Sequence, residues 1–96
     1  MTPKQIIAQL QVRGLLELVD DVCARRGVTR LELCGHQRSQ AIAAARHELW
    51  WLMREHPERY YSYPEIARLF SKHHTTVRQG VAAHRRRHHQ PARAGA

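Results

Sequence analysis

The stretch Ser62-Tyr63-Pro64-Glu65-Ile66-Ala67-Arg68-Leu69-Phe70, followed by Ser71-Lys72-His73 and then His74-Thr75-Thr76-Val77, decides how this chain folds. Ser62 and Glu65 stand three apart, so the serine hydroxyl can accept from the Glu65 backbone N–H while the glutamate reaches back to the N–H of Ser62. Pro64 falls in the first turn, where its missing N–H does no harm. Ile66, Ala67, Leu69 and Phe70 then give a helix of about two turns. After three residues a second helix opens through Thr75-Thr76-Val77. Val77 and Val81 lie four apart on one face of it, with Arg78 and Gln79 on the others. Two short helices joined by such a turn, the second entering with polar side chains and followed by a basic stretch, describe a helix-turn-helix. Gly80 inside the second helix costs up to about 1 kcal/mol against alanine, which predicts close packing on a neighbour.

Upstream the same signals recur. Thr2-Pro3-Lys4-Gln5 and Thr29-Arg30-Leu31-Glu32 are further capping boxes. The first opens an apolar series, Ile6, Ile7, Leu10, Leu15, Leu18, Val19 and Val22, which Gly14 divides into two helices and Gly27 stops. The second opens a short helix ending by Gly35. Gln37 to His56 is the longest helical run, ended by Pro57, with Ile42, Ala45, Leu49, Leu52 and Met53 as its core stripe. Trp50 and Trp51 diverge by about 100°, so at most one points squarely inward. No segment alternates like a strand. The fold class is therefore all-α, a small helical bundle containing a helix-turn-helix over residues 1–87, with residues 88–96 as a basic disordered tail.

Length and charge restrict what such a bundle can do. Ninety-six residues fit one small domain, and sixteen Lys+Arg against eight Asp+Glu give a net charge of +8. The last acid is Glu65, while Arg68, Lys72, Arg78, Arg85, Arg86, Arg87 and Arg93 follow it, so the final third is purely basic and favours a polyanion, nucleic acid first. No run approaches the roughly 18 apolar residues of a membrane span, and the N-terminus lacks a secretion signal. The expectation is a cytoplasmic, nucleoid-associated protein that engages no membrane. Two cysteines, Cys23 and Cys34, are too few for a disulfide framework and read as small buried thiols.

The words Ser62-x-Pro64-x-Ile66-Ala67, Phe70 and His74-Thr75-Thr76-Val77 resemble the C-terminal DNA-binding domain of the bacterial chromosomal replication initiator DnaA, which has a Trp-repressor-like helix-turn-helix. The likeness extends over roughly residues 3–87. It implies double-stranded DNA as the partner and a bacterial or phage origin. Arg38 matches the arginine that enters the minor groove, where a narrow A·T-rich stretch attracts a guanidinium. His74, Thr75 and Thr76 match the base-reading cluster, in which a threonine methyl can pack on a thymine methyl and histidine can bond a base edge. His73 stands where the family carries a base-contacting aspartate. Arg46 and His47 on the long helix, Tyr63 and Pro64 at the start of the bracing helix, and Lys72 and Arg78 fall at phosphate-contacting places.

The departures matter as well. The turn Ser71-Lys72-His73 is one residue shorter than the family's glycine-glycine-arginine-aspartate, and His73 caps a helix or accepts from cytosine less well than aspartate, which leaves the base preference there open. The spacer from Glu55 to Ser62 is longer than usual, placing Tyr60 and Tyr61 beside the bundle. No GxxxxGK[ST] element occurs, so ATP binding by that route is excluded. The expectation becomes a stand-alone binder: a small transcriptional regulator, or a competitor for DnaA-type boxes.

Other classes fare less well. The eight histidines lack the paired spacing of a zinc module, and no nucleophile, base and orienting carboxylate recur together, so neither a metal, another cofactor nor catalysis is expected. The competing reading is a protein-interaction module. It would form a homodimer or dock on a replication-protein partner through the apolar N-terminal helix, and an exposed Trp50 or Trp51 would favour it.

Overall fold

The computed structural model describes residues 1–95, with the side chains of residues 1–88. The chain forms α1 (Pro3–Val12), α2 (Leu16–Arg26), α3 (Arg30–Cys34), α4 (Gln40–Arg54), α5 (Tyr63–Phe70) and α6 (His74–Gly95), with no strand among the described residues. The fold is all-α. All three predicted capping boxes are present, at Thr2 and Gln5, Thr29 and Glu32, and Ser62 and Glu65. Gly14 (φ 71°) separates α1 from α2 and Gly27 (φ 66°) terminates α2, both in the left-handed region that a residue without Cβ enters cheaply.

Two boundaries differ from the sequence expectation. The long helix begins at Gln40 rather than Gln37, because the Ser39 hydroxyl accepts the Ile42 N–H at 3.2 Å and so acts as its N-cap. It ends at Arg54, short of His56, since the residue before a proline is pushed out of the helical region. At the other end of the chain, the backbone of α6 is helical to Gly95, so no helix end marks the boundary expected at residue 87. The reading of residues 88–96 as a disordered tail falls mostly on side chains outside the described residues.

The core is one cluster drawn from every helix: Ile6 and Leu10 of α1, Val19 and Val22 of α2, Leu33 of α3, Leu49, Trp50 and Met53 of α4, Ile66 and Phe70 of α5, and Val77 and Val81 of α6. Burial of side chains this large supplies most of the driving force. α4 is the central post and packs most extensively on α6. Where they cross, Gly80 lies against the Trp50 ring, and Trp50 in turn meets Phe70 edge-on with centroids 5.9 Å apart. The two tryptophans part as helix geometry requires: Trp50 is core, while Trp51 is half-buried against the His84 ring at 4.9 Å. The spacer treats its tyrosines unequally. Tyr61 enters the core and donates its backbone N–H to the Met53 carbonyl, whereas Tyr60 stays exposed.

Candidate nucleic-acid interface

α5, the turn Ser71–Lys72–His73 and α6 make the helix-turn-helix. The turn works without glycine: Ser71 adopts φ 55°, ψ 45°, which a serine enters at some cost, and the Lys72 N–H returns to the Ala67 carbonyl at 2.9 Å. His73 then starts α6. Its carbonyl accepts from Thr76 and Val77, and its Nδ1 accepts the Thr75 N–H at 3.2 Å, so it serves as the N-cap. The His73 and His74 rings stack with centroids 4.5 Å apart.

Beyond this cap α6 divides cleanly. Val77, Gly80, Val81 and His84 turn inward, while His74, Thr75, Thr76, Arg78 and Gln79 are exposed. Gln79 lies one turn beyond Thr75 on the outward face, a neighbour that the family resemblance did not single out but the i, i+4 spacing makes plain. No carboxylate occurs between Ser71 and Gln79. The tip at His74, Thr75, Thr76 and Gln79 is therefore polar, free of negative charge and clear of the core.

Cations surround it. Arg38 is exposed in the loop before α4. Lys72 is half-buried. Burial lowers its ammonium below the usual lysine value, and the nearby charges of Arg46 and Arg38 push the same way. Like charges crowded in this way favour an incoming anion. On the other flank, Tyr63 and Pro64 occupy the first turn of α5, with Tyr63 half-buried and Pro64 exposed. The Arg54 guanidinium lies between two aromatic rings, 4.1 Å from the Tyr63 centroid and 4.5 Å from that of Tyr60, and Arg78 approaches the Tyr63 ring at 5.8 Å. Arg54 and Tyr60 join the helix-turn-helix to the long spacer, a connection with no signal in the local sequence.

Two residues expected at phosphates, Arg46 and His47, are engaged in the packing instead of standing open to solvent. Arg46 is 8% exposed and turned inward. It donates from Nε to the Leu33 carbonyl (2.8 Å), from Nη1 to that of Gln37 (2.9 Å), and from Nη2 to those of Gly35 (2.6 Å) and Glu32 (3.1 Å). It thereby helps to close the C-terminus of α3 and the loop that follows, and most of its donors are used there. His47 is half-buried beside Trp50 and Gly80, with Nδ1 enclosed and without a partner among the described residues. Burial, reinforced by Arg87 and Arg46, lowers its pKa, so it is a poor cation for a phosphate.

The features that would favour an apolar docking surface point mainly inward, although Val12 at the end of α1 stays exposed. α1 buries Ile6 and Leu10, and neither tryptophan is exposed. Among the described residues no three His, Cys, Asp or Glu side chains gather to hold a metal, and no helix is long and apolar enough to cross a membrane.

A three-residue turn, an inward apolar stripe on α6 and an outward polar tip define the chain as a helix-turn-helix domain. The family described as bacterial dnaA protein helix-turn-helix matches residues 17–83, and the chain belongs to that family. No curated protein and no solved structure gave a significant match.

Proposed function

We propose that this domain binds double-stranded DNA sequence-specifically, with the N-terminal half of α6 in the major groove. It acts as a small regulator of transcription or as a competitor at DnaA-type boxes. The observation that carries the reading is the exposed, nearly neutral tip at His74, Thr75, Thr76 and Gln79, with Arg38, Lys72 and Arg78 around it. Family membership supports DNA as the partner. Backbone phosphates attract the rim regardless of sequence, and short polar side chains at the tip discriminate base edges. α5 braces the pair: the Tyr63 N–H and Pro64 face a phosphate, and the Tyr63 ring holds Arg54 and Arg78 alongside. Arg38 enters an adjacent minor groove.

Selection from a pool of random duplexes, followed by sequencing, tests this directly. A common site is expected. A site resembling the initiator box favours competition at origins or shared promoters, and a different site favours an independent regulator. Failure to retain any duplex at 50 mM salt would overturn the proposal, because cationic binding is strongest at low salt.

A further inference from the structure

His73 meets α6 through one particular nitrogen. Nδ1 accepts the Thr75 N–H at 3.2 Å, while the His73 carbonyl takes the first helical hydrogen bonds from Thr76 and Val77. A neutral imidazole carries a single N–H, and a nitrogen that accepts a backbone N–H cannot hold it. The cap thus selects the tautomer with the proton on Nε2. The ring is held by its stack on His74, and among the described residues Nε2 has no protein partner. What His73 presents to the outside, at the very start of the helix, is a hydrogen-bond donor.

We propose that His73 is a specificity-determining residue that selects a base offering an acceptor, guanine above all, and rejects cytosine at the position it faces. The inference rests on the DNA-binding reading above and gives that reading a sign at one base. In the major groove guanine displays O6 and N7, both acceptors; adenine displays N7 and thymine O4. Cytosine displays only its N4 amino donor. Nε2–H can pair with any of the first three. Against cytosine two donors meet, and each loses its bond to water without replacement. An aspartate at the same place caps the helix at least as well and accepts instead of donating, so it carries the opposite preference.

The experiment compares wild type, His73→Asp and His73→Ala in duplex selection, with affinities then measured on four duplexes that differ at one base pair. The expected result is a single position at which wild type recovers guanine or another acceptor and His73→Asp recovers cytosine, the rest of the site being unchanged. Discrimination there should be about tenfold in each direction. His73→Ala should lose the preference both ways. Equal melting temperatures for wild type and His73→Asp establish that the cap survives. A second measurement needs no variant: nitrogen NMR of the His73 ring should show Nε2 protonated and Nδ1 bare.

The same base recovered by wild type and His73→Asp would overturn the proposal, as would cytosine in the wild-type site or a proton on Nδ1. These outcomes leave the DNA-binding reading standing when wild type still recovers a defined site. If wild type recovers no site, the reading of α6 as a recognition helix has failed first, and the role of His73 falls with it.

Discussion

Gly80 of α6 lies so close to Trp50 of α4 that a Cβ built on the glycine would come within 2.8 Å of the indole ring. This contact lets α6 sit directly on the central helix. Gly80→Ala should gain up to about 1 kcal/mol in helix propensity, yet overpacking against Trp50, and against His47 at 2.6 Å, should cost about 1 to 3 kcal/mol. Net destabilisation is expected. Urea unfolding reads the sign, and a stabilised variant would show that the helices can separate cheaply.

Arg46 should behave as a structural residue. Arg46→Ala strips charge-assisted bonds from four carbonyls at the end of α3 and in the loop after it, and should destabilise by about 2 to 4 kcal/mol. Arg46→Lys should rescue little, since a point ammonium cannot serve carbonyls spread around a planar fork. At a temperature where the alanine variant is still folded, the slope of log affinity against log salt should match wild type. A slope reduced by about one would return Arg46 to the phosphate.

The rim cations should divide from the tip. Lys72→Ala and Arg78→Ala should each weaken preferred and scrambled duplexes, and each lost phosphate contact should lower the salt slope by about one. Thr75→Ala should cost about 1 to 3 kcal/mol on the preferred site and little on the scrambled one. Equal losses on both duplexes would remove Thr75 from base reading.

Acid should destabilise the domain in two steps. Burial of His84, with His88 beside it, lowers its pKa to about 4. The unfolded chain therefore binds the proton first: stability is full above about pH 6.5 and falls as pH drops toward 4. Glu48 acts lower. Burial alone would raise its pKa, but hydrogen bonds from Arg26 and Arg25 more than offset this and hold it below the usual carboxylate value. Its contribution is present above its unfolded pKa and disappears as pH falls through the lower, folded one. Melting temperatures at pH 7 and 5 should differ for wild type and differ less for His84→Leu; an unchanged difference would assign the acid sensitivity elsewhere.

What could be read along the chain was local. The capping boxes at Thr2, Thr29 and Ser62 involve partners three residues apart, and Gly14 and Gly27 act on their own backbone angles, so linear order alone determined six helices, the joints apart from the two ends of α4, and the helix-turn-helix between Phe70 and His74. The polar tip of α6 was equally legible, because helical period separates Thr75 and Thr76 from Val77 and Val81. Tertiary structure decided which charges are free. Arg46 and Arg38 look alike in sequence, yet the end of α3 arrives beside one and takes its donors, while the other stays in solvent. Glu48 and His84 were drawn inside by helices distant in the chain. His73 lies between these cases: its position was evident from order, and the nitrogen it presents was set only when the first turn of α6 closed on its ring. A polar side chain takes whichever partner packing brings within about 3 Å, and packing depends on every helix at once.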